Sequence, residues 1–92
     1  MKSIYRVVIE EKGMKHFEYH ERNSSVTYWQ KYAKNQENAG FFVEMQFEYC
    51  TDCKELRLLK YESYNRETSV RETIYLIKNK DQLARLKNNT KS

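Results

Sequence analysis

The chain contains no proline and only two glycines, Gly13 and Gly40. Because linkers between domains are usually rich in proline, glycine or serine, no domain boundary is indicated. We therefore expect a single domain over residues 1–87 and a frayed polar tail over residues 88–92.

Long apolar segments are also missing. No run approaches the roughly 18 apolar residues that span a membrane, and the first twelve or so residues lack the apolar stretch of a signal peptide. The chain has only two cysteines, which together with the missing signal peptide indicates the reducing cytosol. These absences predict a cytoplasmic protein without a membrane contact, whose thiols stay reduced.

Catalytic motifs are absent from the sequence as well. There is no nucleophile elbow, no glycine-rich phosphate loop and no His-Glu-x-x-His zinc motif. His16, Glu18 and His20 share one face of a predicted strand, an arrangement that is also typical of a solvated edge. We expect no enzyme activity, no catalytic residue and no cofactor.

What the sequence does contain is alternation of period two, which places successive side chains on opposite faces of a strand. Residues 41–50 show it most clearly, and an apolar stripe at Val26, Trp29, Tyr32 and Ala33 predicts a helix. Residues 70–78 fit a helix or a strand, and their β-branched content favours the strand. Asp81 is then expected to begin a short helix.

The predicted fold is α+β, in the order β-β-α-β-β(-β-α), with an antiparallel sheet covered on one face by a helix. The predicted core comprises Ile9, Val26, Trp29, Phe41, Val43, Phe47 and Leu59.

The only Cys-x-x-Cys motif, Cys50 and Cys53, lies at a predicted turn and resembles half of a structural zinc site. The other half would be His16 and His20, but four residues along a strand separate them by roughly 13 Å. The nearby carboxylates of Glu48 and Asp52 disfavour a reactive thiolate. We expect free thiols, and keep a zinc-stabilised module as a minor alternative.

Positive charge accumulates toward the end of the chain, where residues 66–92 hold seven basic and three acidic side chains. A basic segment beside exposed aromatic side chains is typical of nucleic-acid binding. The residues expected to contact DNA, RNA or another partner are Lys78, Lys80, Arg85, Lys87, Tyr61 and Tyr64.

Eight tyrosines are many for 92 residues, and tyrosine is enriched at interfaces of every kind. Together with the missing catalytic motifs, they favour a small interaction or inhibitor protein that acts by surface binding. The preference for residues with AT-rich codons suggests a phage or mobile element, and hence an anti-defence or anti-CRISPR role against a host protein or nucleoprotein. The alternatives are a nucleic-acid-binding module and a homodimer.

Overall fold

A computed structural model describes residues 2–79, 81, 82, 84 and 85. Five antiparallel strands form one sheet, and one helix lies across one face of it, which confirms the α+β prediction. The sheet order is β2-β1-β5-β4-β3. The elements are β1 (Lys2–Glu11), β2 (Met14–Asn23), α1 (Val26–Asn38), β3 (Phe42–Cys50), β4 (Glu55–Asn65) and β5 (Val70–Leu76).

Local residue choices explain the first hairpin and the helix ends. Lys12 and Gly13 both have positive φ, 52° and 76°, which is the backbone of a two-residue turn that follows the twist of the strands. Ser25 begins the helix by accepting a hydrogen bond on its side chain from the Tyr28 amide at 3.3 Å. Gly40, with φ 93°, reverses the chain after the helix.

The helix joins the two edge strands, because it leaves β2 at one edge and delivers the chain to β3 at the other. The chain just before the helix is fixed to β4, where the Leu58 amide donates to the Ser24 carbonyl at 2.9 Å. The side of the sheet that the helix covers is called the helix face below, and the opposite side is called the open face. The buried apolar core between helix and sheet comprises Tyr5, Val7, Trp29, Ala33, Leu58, Tyr61, Ile74 and Leu76.

Segment 70–78 contains strand β5, and this strand pairs with both β1 and β4 at the centre of the sheet. The predicted helix after Asp81 falls only partly within the described residues: 81, 82, 84 and 85 are helical, whereas Leu83 and Leu86 lie outside them. No helix in the described part of the chain is long and apolar enough to cross a membrane.

The predicted core needs two corrections. Leu59 has no partner in β3, because the register shifts between Gln46 and Phe47 and leaves this residue as a bulge. Its neighbour Leu58 takes the core position and is fully buried. Phe41 precedes β3 and is only partly buried. Of the other predicted members, Trp29 is fully buried, whereas Ile9, Val43 and Phe47 are partly buried against the core and Val26 is also partly buried.

Candidate binding face

Tyr61 was predicted to contact a partner, and this prediction is wrong. Its side chain lies on the helix face with no exposed surface, 5.5 Å from the Trp29 ring and 5.3 Å from the Tyr32 ring. Burial raises the pKa of its hydroxyl well above the usual value. The error arises because α1 packs over the face of β4 that carries Tyr61 and encloses the ring among Trp29 and Tyr32.

Tyr64 lies on the open face, as a surface contact requires. It is directly opposite Phe42 in β3 and Arg71 in β5. The Arg71 guanidinium lies 4.8 Å from the centre of the Tyr64 ring. The ring is therefore already covered on one side by a cation of its own chain.

The basic residues near the end of the chain are only partly described. The Lys78 ammonium donates to the Glu48 carboxylate at 2.8 Å, and Arg57 contacts the same carboxylate at 3.3 Å. The hydrogen bond from Lys78 is the main reason why the pKa of Glu48 is lowered. Arg85 is exposed, whereas Lys80 and Lys87 lie outside the described residues.

The two cysteines are joined in a disulfide at the turn between β3 and β4, so the prediction of free thiols is wrong. His16 and His20 lie on β2, at the opposite edge of the sheet. Four strand spacings of ~4.8 Å separate the two pairs by about 19 Å, too far for a shared metal. The described residues contain no group of three or more histidine, cysteine or acidic side chains that could hold a metal ion.

The open face carries the most distinctive arrangement of the molecule. Arg6 lies directly between Tyr19 of β2 and Tyr75 of β5, and Phe17 is next to Tyr19 along the same side of β2. These four residues are called the aromatic centre below. Phe17 and Tyr75 are 42% and 41% exposed. Helix α1 lies on the opposite face of the sheet, and among the described residues after β5 Gln82 adjoins Tyr75.

Cations stack on the rings of this face. The Arg6 guanidinium lies 4.5 Å from the centre of the Phe17 ring, and the Lys60 ammonium lies 5.6 Å from the centre of the Tyr75 ring. Arg66 lies 5.6 Å from the Phe42 ring centre in the same manner. Such contacts are attractive and hold the long cationic side chains in place over the rings.

Charged residues surround the aromatic centre and are balanced in sign. Lys60 contacts Glu62 at 2.6 Å, and Arg71 contacts the same carboxylate at 3.7 Å. The hydrogen bond that the Lys60 ammonium donates to Glu62 raises the pKa of Lys60. The register places three acidic and three basic residues at this rim: Glu10, Glu21, Glu62, Lys15, Lys60 and Arg71.

A hollow of about 350 Å³ adjoins the aromatic centre. Its lining includes two cationic side chains, Arg6 and Lys60, and two amide side chains, Gln46 and Gln82. The apolar part of the lining consists of Leu59, Tyr75 and Ile77. None of the described lining residues is acidic. The arrangement, called the anion hollow below, presents hydrogen-bond donors and positive charge in a recess of the open face.

Sequence reasoning missed the aromatic centre. Part of its signal is local, since Phe17 and Tyr19 are alternate residues and therefore share one face of β2. The sequence does not reveal which strands are neighbours in the sheet. In the structure β5 lies between β1 and β4, which brings Tyr75 beside Arg6. No protein-family model, curated protein or solved structure matches this chain.

Proposed function

We propose that this chain is a non-enzymatic binding protein that docks a protein partner on its open face. The observation that carries the proposal is the aromatic centre with its balanced charged rim. Protein interfaces combine a core enriched in tyrosine, phenylalanine and arginine with a polar rim. An inhibitor of the type expected from the composition would act through this contact, by covering a working surface of its partner.

The size of the open face supports the proposal. Five strands about 4.8 Å apart and roughly 25–30 Å long present about 600–700 Å². A stable protein interface buries ~800 Å² on each partner, so this face and its margins are large enough for one. The rings are also rigid, which lowers the entropy lost when a partner binds.

Nucleic-acid binding is the alternative, and the charges of the open face support it less. Lys60, Arg71 and Lys78 are already paired with glutamates, and Glu44 lies directly opposite Glu62. These carboxylates would repel a phosphate backbone. The cations stacked on the rings also occupy the surfaces on which bases would stack.

The test is capture from a cell lysate by the immobilised protein, with and without nuclease, followed by a direct affinity measurement on the captured protein. The disruptive variant is Phe17→Ala/Tyr75→Ala. The matched control is Tyr49→Ala/Leu56→Ala, which removes side chains that are 60% and 47% exposed on the helix face side of the third and fourth strands. If capture depended only on non-specific binding to exposed aromatic and apolar side chains, the control would reduce it at least as much as the disruptive variant.

We expect a nuclease-resistant partner whose affinity falls at least tenfold in the disruptive variant and less than about threefold in the control. Capture that requires nucleic acid, weakens steeply with salt and is lost in Lys80→Glu/Arg85→Glu would support the alternative instead. Equal losses in the two variants would contradict docking on the open face.

A further inference from the structure

The anion hollow has a charge pattern that the proposed docking function does not require. Ion pairs neutralise Arg57 and Arg71 within the chain, but no described carboxylate contacts Arg6. The Arg6 Nε atom is buried and has no hydrogen-bond acceptor among the described residues. The Nε atom of Arg57 is unsatisfied in the same way, but Arg57 has Glu48 as a counter-ion, whereas Arg6 has none among the described residues. An anion that reaches the Arg6 guanidinium would supply the missing acceptor.

We propose that the anion hollow binds the carboxylate of an aspartate or glutamate side chain from the protein partner. This inference rests on the proposed function, since it names the chemistry of the partner's central contact. Stacking on Phe17 holds the Arg6 guanidinium in place, and a planar guanidinium matches a carboxylate with two parallel hydrogen bonds. The Gln46 and Gln82 amides and the Lys60 ammonium supply further donors around the same recess.

A carboxylate fits this hollow better than a phosphate does. Lys60 is paired with Glu62 at 2.6 Å, and this carboxylate repels a phosphate more strongly than a singly charged carboxylate because the phosphate carries more negative charge. The apolar walls formed by Leu59, Ile77 and Tyr75 also suit the methylene groups of an acidic side chain.

The experiment is a nuclear magnetic resonance titration of the ¹⁵N-labelled full chain with N-acetyl-glutamate N-methylamide, which carries one carboxylate. The uncharged probe is N-acetyl-glutamine N-methylamide, and inorganic phosphate is the third ligand. We expect saturable shifts of the Arg6 Nε–H signal and the Gln46 and Gln82 side-chain amides with the carboxylate probe only. Arg6→Gln should weaken this binding at least about tenfold, because a charge-assisted pair is lost.

The matched control is Arg66→Gln, which removes a ring-stacked cation outside the hollow and should change affinity by less than about twofold. Gln82→Ala, on an exposed helical turn, should weaken the carboxylate probe about threefold and tests the site if Arg6→Gln fails to fold. Equal shifts with the glutamine probe, tighter binding of phosphate, or equal losses in the Arg6 and Arg66 variants would overturn the inference.

The two proposals fail in different ways. If the carboxylate probe does not bind but Phe17→Ala/Tyr75→Ala still abolishes capture of a protein, docking on the open face holds and the acidic contact is wrong. If the carboxylate probe binds but the same double variant leaves capture unchanged, the docking proposal fails. The anion hollow would then bind carboxylates independently of that partner.

Discussion

The two faces of the sheet use aromatic side chains in opposite ways. On the helix face, Trp29 lies within 5.5 Å of the rings of Tyr5, Tyr32 and Tyr61, and all of them except Tyr32 have no exposed surface. On the open face, Phe17 and Tyr75 are about two-fifths exposed and are contacted by Arg6 and Lys60. The rings of the helix face stabilise the fold, whereas those of the open face remain accessible at the surface.

The position of an aromatic ring in a strand does not reveal whether the ring lies in the core or on the surface. Alternation separates the two faces of a strand but leaves open which face meets the helix. In this molecule the helix connects the two edge strands and so covers one face along its path. On the open face, Arg6 and Lys60 stack on Phe17 and Tyr75, and these two aromatic side chains stay about two-fifths exposed.

The largest effect is expected for Trp29→Ala, on the helix face. Removing this fully buried ring should lower the free energy of unfolding by about 3–5 kcal/mol, because it leaves a cavity among four contacting rings. Urea unfolding followed by circular dichroism measures the change. Phe47 belongs to the core predicted from the sequence but is only partly buried, so Phe47→Ala should cost less, about 1–3 kcal/mol. An equal cost for the two would show that the core is centred elsewhere.

Alkaline pH should lower the free energy of unfolding through the buried tyrosines of the helix face, and this loss should be intermediate in size. Burial raises the pKa of Tyr5 to about 12 and also raises the pKa values of Tyr32 and Tyr61. Since the unfolded tyrosine loses its proton near ~pH 10, stability is fully present below that pH and falls as the pH rises toward 12. The loss per buried tyrosine is about 1.4 kcal/mol for each pH unit in this window.

The measurement is urea unfolding at pH 8, 10 and 11 for the wild type and for Tyr5→Phe. The variant should lose about 0.5–1.5 kcal/mol at pH 8, because the Tyr5 hydroxyl donates to the Leu58 carbonyl at 3.3 Å. Its stability should then fall less steeply above pH 10. Tyr49→Phe, on an exposed side chain, is the control and should keep the wild-type slope. Equal slopes in the two variants would contradict this assignment.

The smallest effect on stability is expected on the open face. Phe17→Ala and Tyr75→Ala should each lower the free energy of unfolding by less than about 1 kcal/mol, because the rings lose cation contacts and little buried area. Thermal unfolding of each variant measures this. A loss comparable to that of Trp29→Ala would mean that the open face is part of the core and would remove the distinction between the two faces.

Several elements follow from local pattern alone. Alternation over residues 41–50 predicts the third strand, and the stripe through Trp29 and Ala33 predicts the helix that buries both. The β-branched run predicts the fifth strand. These predictions succeed because the period of a segment depends only on residues within that segment.

Local sequence pattern was enough to predict the α+β class, the alternating strands and the helix through Trp29. Which side chains lie together depends on the tertiary structure. The bulge at Leu59 puts Leu58 in the core and Tyr61 beneath the helix, and the central position of β5 brings Tyr75 beside Arg6. Cys50 and Cys53 pair with each other, while the histidines lie at the far edge of the sheet. Strand order and register arise from contacts between residues distant in the chain, which no local period encodes.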